Sequence, residues 1–226
     1  MEVRIATAFI TCGIIFKFGA FPFHSWVPDS YLGPNTTADL YISSITKIGA
    51  FALLARLFAE SLAVIADFWS VLILLVGLLS IIIGNLIALM QINVRRILAY
   101  SAIGHIGFIL LAFSIGGLQG ISASITYLLI YLIMTMAAFS LIESVSTEDH
   151  QHIELSDLKG LSNSNPITAF MLLLTMFSMV GIPPFIGFYA KWIVLSELIN
   201  SGSIWFAIIV IIMSVIAAYY YLRIIW

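Results

Sequence analysis

Residues 16–31 read FKFGAFPFHSWVPDSY and interrupt the first long apolar run of the chain. Lys17 stands inside that run, Gly19 and Pro22 break it, and His24, Trp26, Pro28 and Asp29 follow closely. A proline within a helix removes a backbone hydrogen bond and clashes with the preceding turn, so this stretch predicts a helix that stops and restarts. A second stretch of the same kind, VGIPPFIGFYAKW at 180–192, ends with Lys191 and Trp192.

The surroundings of both stretches are those of a membrane protein. Of 226 residues, 62% are hydrophobic and 9% charged, against about 25% charged in soluble domains. The apolar residues come in blocks of about 20 or more, enough for helices to cross roughly 30 Å of hydrocarbon. Alternating ten-residue segments, the mark of a membrane barrel, are missing. The fold class read from this is all-α: a polytopic transmembrane helix bundle of about seven spans. They lie at 3–31, 36–58, 66–91, 96–115, 120–143, 166–199 and 203–226, the first and sixth being broken helices.

Several function classes fall away. Net charge is −2 with no basic run, so the lipid bilayer and not nucleic acid is the expected partner. Cys12 is the only cysteine, which excludes an internal disulfide and a cysteine metal site and makes it a packed small residue. The first run has no small-residue cleavage site and reads as mature structure, not as a signal peptide. No nucleophile with a base and no glycine-rich phosphate cradle is present, and nothing argues for redox chemistry within the chain.

The one long polar segment, 145–165, predicts a short surface helix around Ile153 to Leu158. Its histidines, His150 and His152, read as residues of a solvated loop and not as metal ligands. Arg95, Arg96, Lys159 and Arg223 fall on one side of the membrane and Arg4 and Arg56 on the other. That bias places Arg95 and Arg96 in the cytoplasm.

Three lysines lie well inside spans: Lys17, Lys47 and Lys191. A lysine at the centre of a membrane helix costs at least about 2.5–3.5 kcal/mol. A buried amine can exchange a proton near neutral pH, as a proton relay requires. The alternative for each is snorkelling of the amine to the headgroups, which suits Arg56 near its span end. His24 and His105 are the two histidines in or near spans, and imidazole can pass a proton from one ring nitrogen to the other. Glu143, closing the fifth span, reads as a helix-end carboxylate facing water, with a pairing to a lysine as the alternative. Asp39 reads as part of a helix N-terminus, and Tyr219, Tyr220, Tyr221 and Trp226 as an interfacial aromatic belt. The two broken spans, five apart in order, imply a repeat of about five helices.

FKFGAFPFHSWVPDSYLG, SSITKIGAFALLARLF, GNLIALMQINVRRILAYSAIGHIGF, SDLKGLSNSNPITAF, GIPPFIGFYAKW and AAYYYLRIIW occur in this order over nearly the whole chain. Together they resemble the antiporter-like membrane subunits of respiratory complex I, the NADH–quinone oxidoreductase, with the subunit N branch the nearest likeness. The resemblance implies two inverted five-helix repeats, each with a broken helix, and a central row of lysines and histidines that carries protons. It makes 1–60 the last two helices of a first repeat and 61–226 a complete second one. By motif, Lys17 is the broken-helix lysine of the first half, Lys47 that of the following helix, and Lys191 the broken-helix lysine of the second half. His24 and His105 match the relay histidines, and the first break is expected to open a hydrated interior where Lys17 and His24 exchange protons.

The implied setting is the bacterial inner membrane, among other membrane subunits of the complex. No cofactor is expected in this chain; NAD, FMN, iron–sulfur clusters and quinone belong to partner subunits. About six further helices before this segment and one after are also implied, so the chain reads as a portion of a longer protein. The resemblance implies that one of the earlier helices carries a glutamate that pairs with the first lysine. GPNTTADLY at 33–41 departs from the proline-rich G-x-P-x-P of the family. Subunits of multisubunit Na⁺(K⁺)/H⁺ antiporters share pieces like PDSY and TKIG and are the alternative. The segment IELSDLKGLSNSNP and the lysine of ITK favour the complex I branch.

Overall fold

The computed structural model describes residues 1–32, 41–146 and 154–226. All regular structure among them is helical, apart from an isolated antiparallel bridge between Asn93 and Glu154. The helices are α1 (Glu2–Phe18), α2 (Trp26–Ser30), α3 (Ile45–Leu54), α4 (Ala66–Met90), α5 (Val94–Ile115), α6 (Gly117–Val145), α7 (Leu161–Ser164), α8 (Pro166–Val180), α9 (Ile186–Asn200) and α10 (Ile204–Ile225). α3 continues into a π-helical segment, Ala55–Ser61, and a short 3₁₀ turn, Ala63–Ile65, leads into α4.

Both predicted breaks are present. α1 ends at Phe18 and α8 at Val180, and in each case the next residue is a glycine in the left-handed region, Gly19 at φ 70° and Gly181 at φ 84°. Residues with a side chain rarely adopt that conformation, so the two glycines set where the helices stop. The chain turns through cis Phe21–Pro22 in the first break and cis Pro183–Pro184 in the second, then re-enters a helix. Two helix starts carry asparagine caps: Asn93 accepts from the Arg96 N–H at 3.1 Å, and Asn165, before Pro166, accepts from the Thr168 N–H at 3.4 Å.

Among the described residues five helices are long and apolar enough to cross a membrane: Tyr41–Ser61, Ala63–Met90, Val94–Ile115, Gly117–Val145 and Ile204–Ile225. The expected spans 66–91, 96–115, 120–143 and 203–226 coincide with α4, α5, α6 and α10 to within about three residues at either end. The interrupted segments, α1–α2 and α8–α9, occupy the other two broken runs.

α5 is the axis of the bundle. Of its most apolar window 94% is buried inside the chain, against 28% for α10. Small residues bring α4 and α5 into backbone contact. A Cβ on Gly84 would lie 2.8 Å from both the Gly104 nitrogen and the Tyr100 oxygen, and one on Gly77 would lie 2.9 Å from the Gly107 oxygen. Glycines of this kind allow helices in lipid to pack by close van der Waals approach, where no hydrophobic force separates protein from solvent.

The polar ends of the helices sort into two faces. Arg223 on α10 donates to the carbonyls of Leu89 and Gln91 at the end of α4. The Leu155 N–H bonds the Ile92 oxygen at 3.3 Å, which ties the segment bearing Lys159 to the same face. Arg96 lies 3.7 Å from Asp29 there. At the opposite face Arg4 sits 5.8 Å over the Phe68 ring, and Phe58, two residues beyond Arg56, packs on Trp69 at 5.4 Å. The grouping of basic residues read from the sequence is therefore the grouping in the fold.

Other expectations change. Residues 154–160 form the bridge and turns, and the short helix comes later, at Leu161–Ser164, because Gly160 at φ 83° ends the turns before it can start. Cys12 is exposed, on the outer face of α1 with Phe9 and Phe16, whereas Thr7, Thr11 and Ile14 face inward. Asp39, His150, His152 and Ile153 lie outside the described residues.

Replacing Gly84 by Leu is expected to destabilise the bundle by about 1–3 kcal/mol through overpacking against α5; thermal unfolding in detergent at the parent midpoint would contradict the close contact. With Cys12 replaced, a membrane-impermeant thiol reagent should reach cysteines at positions 96 and 159 from one side and a cysteine at 56 from the other. Labelling of all three from a single side would contradict the arrangement.

Candidate functional site

A helix that stops inside hydrocarbon leaves its last carbonyls without donors, and no water is at hand to satisfy them. At the first break Gly19 and Ala20 turn their own N–H groups back to the carbonyls of Phe16 and Ile15 at 3.0 and 3.1 Å. The Trp26 indole also donates to the Phe16 oxygen, at 3.1 Å, and Lys47 on α3 donates from Nζ to the Phe18 oxygen. At the second break Gly181 and Ile182 both bond the Phe177 oxygen, and Lys191 on α9 donates from Nζ to the Val180 oxygen at 2.7 Å. Each buried lysine thus caps the final residue of an interrupted helix. Lys47 is fully buried and Lys191 is 8% exposed, so neither snorkels to the headgroups.

The breaks are also braced by their neighbours. Ser178 Oγ receives the Gly187 N–H at 3.3 Å and donates to Met134 Sδ of α6 at 3.2 Å, which holds the start of α9 against α8. Aromatic faces cover both amines, with Lys47 Nζ 5.5 Å from the Trp26 ring centre and Lys191 Nζ 5.7 Å from that of Phe108.

His105 lies on α5, in the run AIGHIGF. Its Nδ1 is 2.9 Å from the Tyr127 hydroxyl of α6 and its Nε2 is 3.1 Å from the Tyr221 hydroxyl of α10. The Tyr131 ring packs at 5.3 Å. Phe108, which lies under the Lys191 amine, stacks parallel on Tyr127 at 5.2 Å. On α10 the next hydroxyl, Tyr220, bonds Asn85 of α4 at 2.8 Å. Lysine amines, imidazole and phenolic hydroxyls are all groups that exchange protons. An imidazole bonded at both nitrogens can take a proton on one and release it from the other.

The predicted residues divide accordingly. Lys47, Lys191 and His105 are buried and belong to this interior. Lys17 is exposed on the last turn of α1, before the break, and forms no ion pair among the described residues. His24 is half-buried within the first break, 5.5 Å from the Phe21 ring, and its Nδ1 is buried with no hydrogen-bond partner among the described residues. Lys47 and Lys191 are the two lysines that cap the interrupted helices.

One sequence reading is corrected. Tyr220 and Tyr221 are each 1% exposed and belong to the polar interior, while Tyr219 and Trp226 face outward. Successive helical residues point about 100° apart, so three consecutive tyrosines cannot share one lipid-facing belt. Glu143 is the half-exposed helix-end carboxylate expected, and its partner there is an arginine: its Oε2 is 2.7 Å from Arg95, whose side chain is 5% exposed against 42% for Glu143. Tyr127, Asn85 and Trp26 were missed. Asn85 was visible as a lone amide in IIIGNLIAL, and Tyr127 and Tyr131 as hydroxyls one turn apart in mid-span.

Known proteins are similar to this chain in sequence and fold. The family described as "NADH:quinone oxidoreductase/Mrp antiporter, TM" matches residues 1–217. The NADH-quinone oxidoreductase subunit N of Hydrogenovibrio crunogenus is 45% identical over 223 residues, which is 99% of this chain and 47% of that protein. A chain of respiratory complex I from Thermus thermophilus superposes with a TM-score of 0.83 at 33% identity, covering 98% of this chain and 48% of that one. A chain of the Mrp complex from Dietzia superposes at 0.90 with 28% identity, covering 98% and 41%. The chain spans about half the length of the curated relatives it matches.

Changing Tyr221 to Phe leaves His105 Nε2 without its hydroxyl and is expected to cost about 1–3 kcal/mol. The thermal midpoint of the purified protein should fall; an unchanged midpoint would show that this bond contributes nothing.

Proposed function

The chain belongs to the NADH:quinone oxidoreductase/Mrp antiporter transmembrane family, and from that premise we propose that it is part of a proton-translocating subunit of an NADH–quinone oxidoreductase, of the subunit N type. The observation that carries this reading is the pair of buried lysines, Lys47 and Lys191, each bonded to the terminal carbonyl of an interrupted helix, together with a buried His105 bonded on both ring nitrogens. Protons pass along Lys17, His24, Lys47, His105 and Lys191, with Tyr127 and Tyr221 as the hydroxyls through which His105 takes up and releases them. Residues 1–60 end a first antiporter-like repeat and 61–226 make the second.

Electron transfer from NADH to quinone, with its FMN and iron–sulfur clusters, is assigned to partner subunits in the bacterial inner membrane. The coupling is conformational and electrostatic. The exposed position of Lys17 on α1 suits contact with a further helix of a longer chain or of a partner.

The Mrp likeness, with its TM-score of 0.90, favours a second reading as a subunit of a multisubunit Na⁺(K⁺)/H⁺ antiporter. The higher identity to subunit N relatives favours the first. Purification of native membrane complexes through a tag on this chain, followed by mass spectrometry, separates the two. Flavin and iron–sulfur subunits among the companions support the oxidoreductase; antiporter-like membrane subunits alone support the cation exchanger. Within the assembled oxidoreductase, Lys47→Ala or Lys191→Ala is expected to lower coupled turnover about fivefold or more, as when a positioned proton-transfer group is removed. Assembly should change far less, and full coupled turnover with either variant would count against the relay.

A further inference from the structure

We propose that Trp26 and Phe108 are positioning residues for the two buried lysines, each presenting an aromatic face that holds the amine against the carbonyl where its interrupted helix ends. The proposal rests on the proton relay proposed above and adds to it two residues that carry no exchangeable charge.

The argument begins with a coincidence that occurs twice. Lys47 Nζ lies 5.5 Å from the centre of the Trp26 ring and Lys191 Nζ lies 5.7 Å from that of Phe108, both within the roughly 6 Å over which a ring face attracts a cation. In a chain with 16 phenylalanines and 5 tryptophans, one ring near one amine carries little weight. The rings, however, come from unrelated places: Trp26 begins α2 just after the first break, and Phe108 lies in the middle of α5. The lysines also arrive differently, one from the next helix and one from the second half of the broken helix itself. Two separate routes converge on one arrangement of terminal carbonyl, amine and aromatic face.

Each ring is itself held in place. The Trp26 indole N–H donates to the Phe16 oxygen at 3.1 Å, two residues before the carbonyl that Lys47 caps. Phe108 stacks on Tyr127 with the planes 8° apart, and Tyr127 bonds His105. Displacing either ring therefore disturbs a bonded neighbour.

The chemistry suits a site that must load and unload. A carboxylate beside a buried amine would bind the proton tightly and could accept it. An aromatic face attracts the ammonium through its quadrupole but has no lone pair to take the proton. The proton can then leave only along the N–H groups, toward polar partners, while the N–H bond to the terminal carbonyl keeps the neutral amine in reach of the ring.

The test uses the full-length protein in its native complex, with coupled proton translocation read per assembled complex. Trp26→Leu should lower translocation about three- to tenfold, the scale of a desolvated cation–ring contact. Trp26→Phe, which keeps a ring, should recover most of the loss. On a Lys47→Ala background Trp26→Leu should add almost nothing, because its effect runs through the lysine. Equal effects of Leu and Phe, or an undiminished Leu effect on the Lys47→Ala background, would overturn the proposal and leave a packing role. If Lys47→Ala itself leaves translocation at the parent level, the relay fails and the proposal fails with it. Phe108→Leu against Phe108→Tyr, on the parent and on the Lys191→Ala background, repeats the measurement at the second site, where poor assembly of a Trp26 variant has no bearing.

Discussion

A carbonyl stranded at the end of a helix inside hydrocarbon must find a donor within the protein, and in this chain lysines supply it. An unsatisfied backbone group there costs several kcal/mol, and so does an isolated ammonium. Placed together, each reduces the cost of the other. The Lys47 bond to Phe18 ties α3 to α1, and the Lys191 bond to Val180 ties the two halves of the second interrupted helix. Breaks and lysines are one feature and not two, which explains why so apolar a chain retains both.

Around that feature the bundle is arranged to keep α5 central. The Gly77 and Gly84 contacts with Gly107 and Gly104 draw α4 against it, and His105 then projects to the other side, toward α6 and α10. Tyrosine is well suited to this position, with a ring that packs among apolar neighbours and a hydroxyl that finds a partner. Tyr127, Tyr220 and Tyr221 all do so, two on His105 and one on Asn85. The hydroxyls and the imidazole thus satisfy one another within a largely apolar interior.

The polar chemistry at the helix ends is of a different kind. Arg223 closes the carbonyl end of α4, Asn93 opens α5, and Arg95 pairs with a half-exposed Glu143. A partly hydrated pair of this sort is screened and modest in strength. It anchors α5 to α6 at the membrane face, whereas the lysine contacts work at depth, where each bond matters more.

Much of this was legible from sequence because membrane solvation acts locally. Run length sets the spans, glycine and proline set the breaks at Gly19 and Gly181, and the cost of charge in hydrocarbon marks Lys47 and Lys191 as functional candidates. The distribution of arginines also grouped the helix ends as the fold does. Depth and partnership were beyond reach, since they depend on which helix lies beside which. Lys17 and Lys47 both stand in apolar runs, yet one faces outward and the other is wholly enclosed. Tyr219, Tyr220 and Tyr221 are chemically identical neighbours that the rotation of one helix sends to different surroundings. Sequence by itself determined an all-helical membrane chain with two interrupted helices and lysines near them; only the tertiary structure decided which lysines cap those helices, because a hydrogen bond between distant segments is a property of packing and not of any one segment.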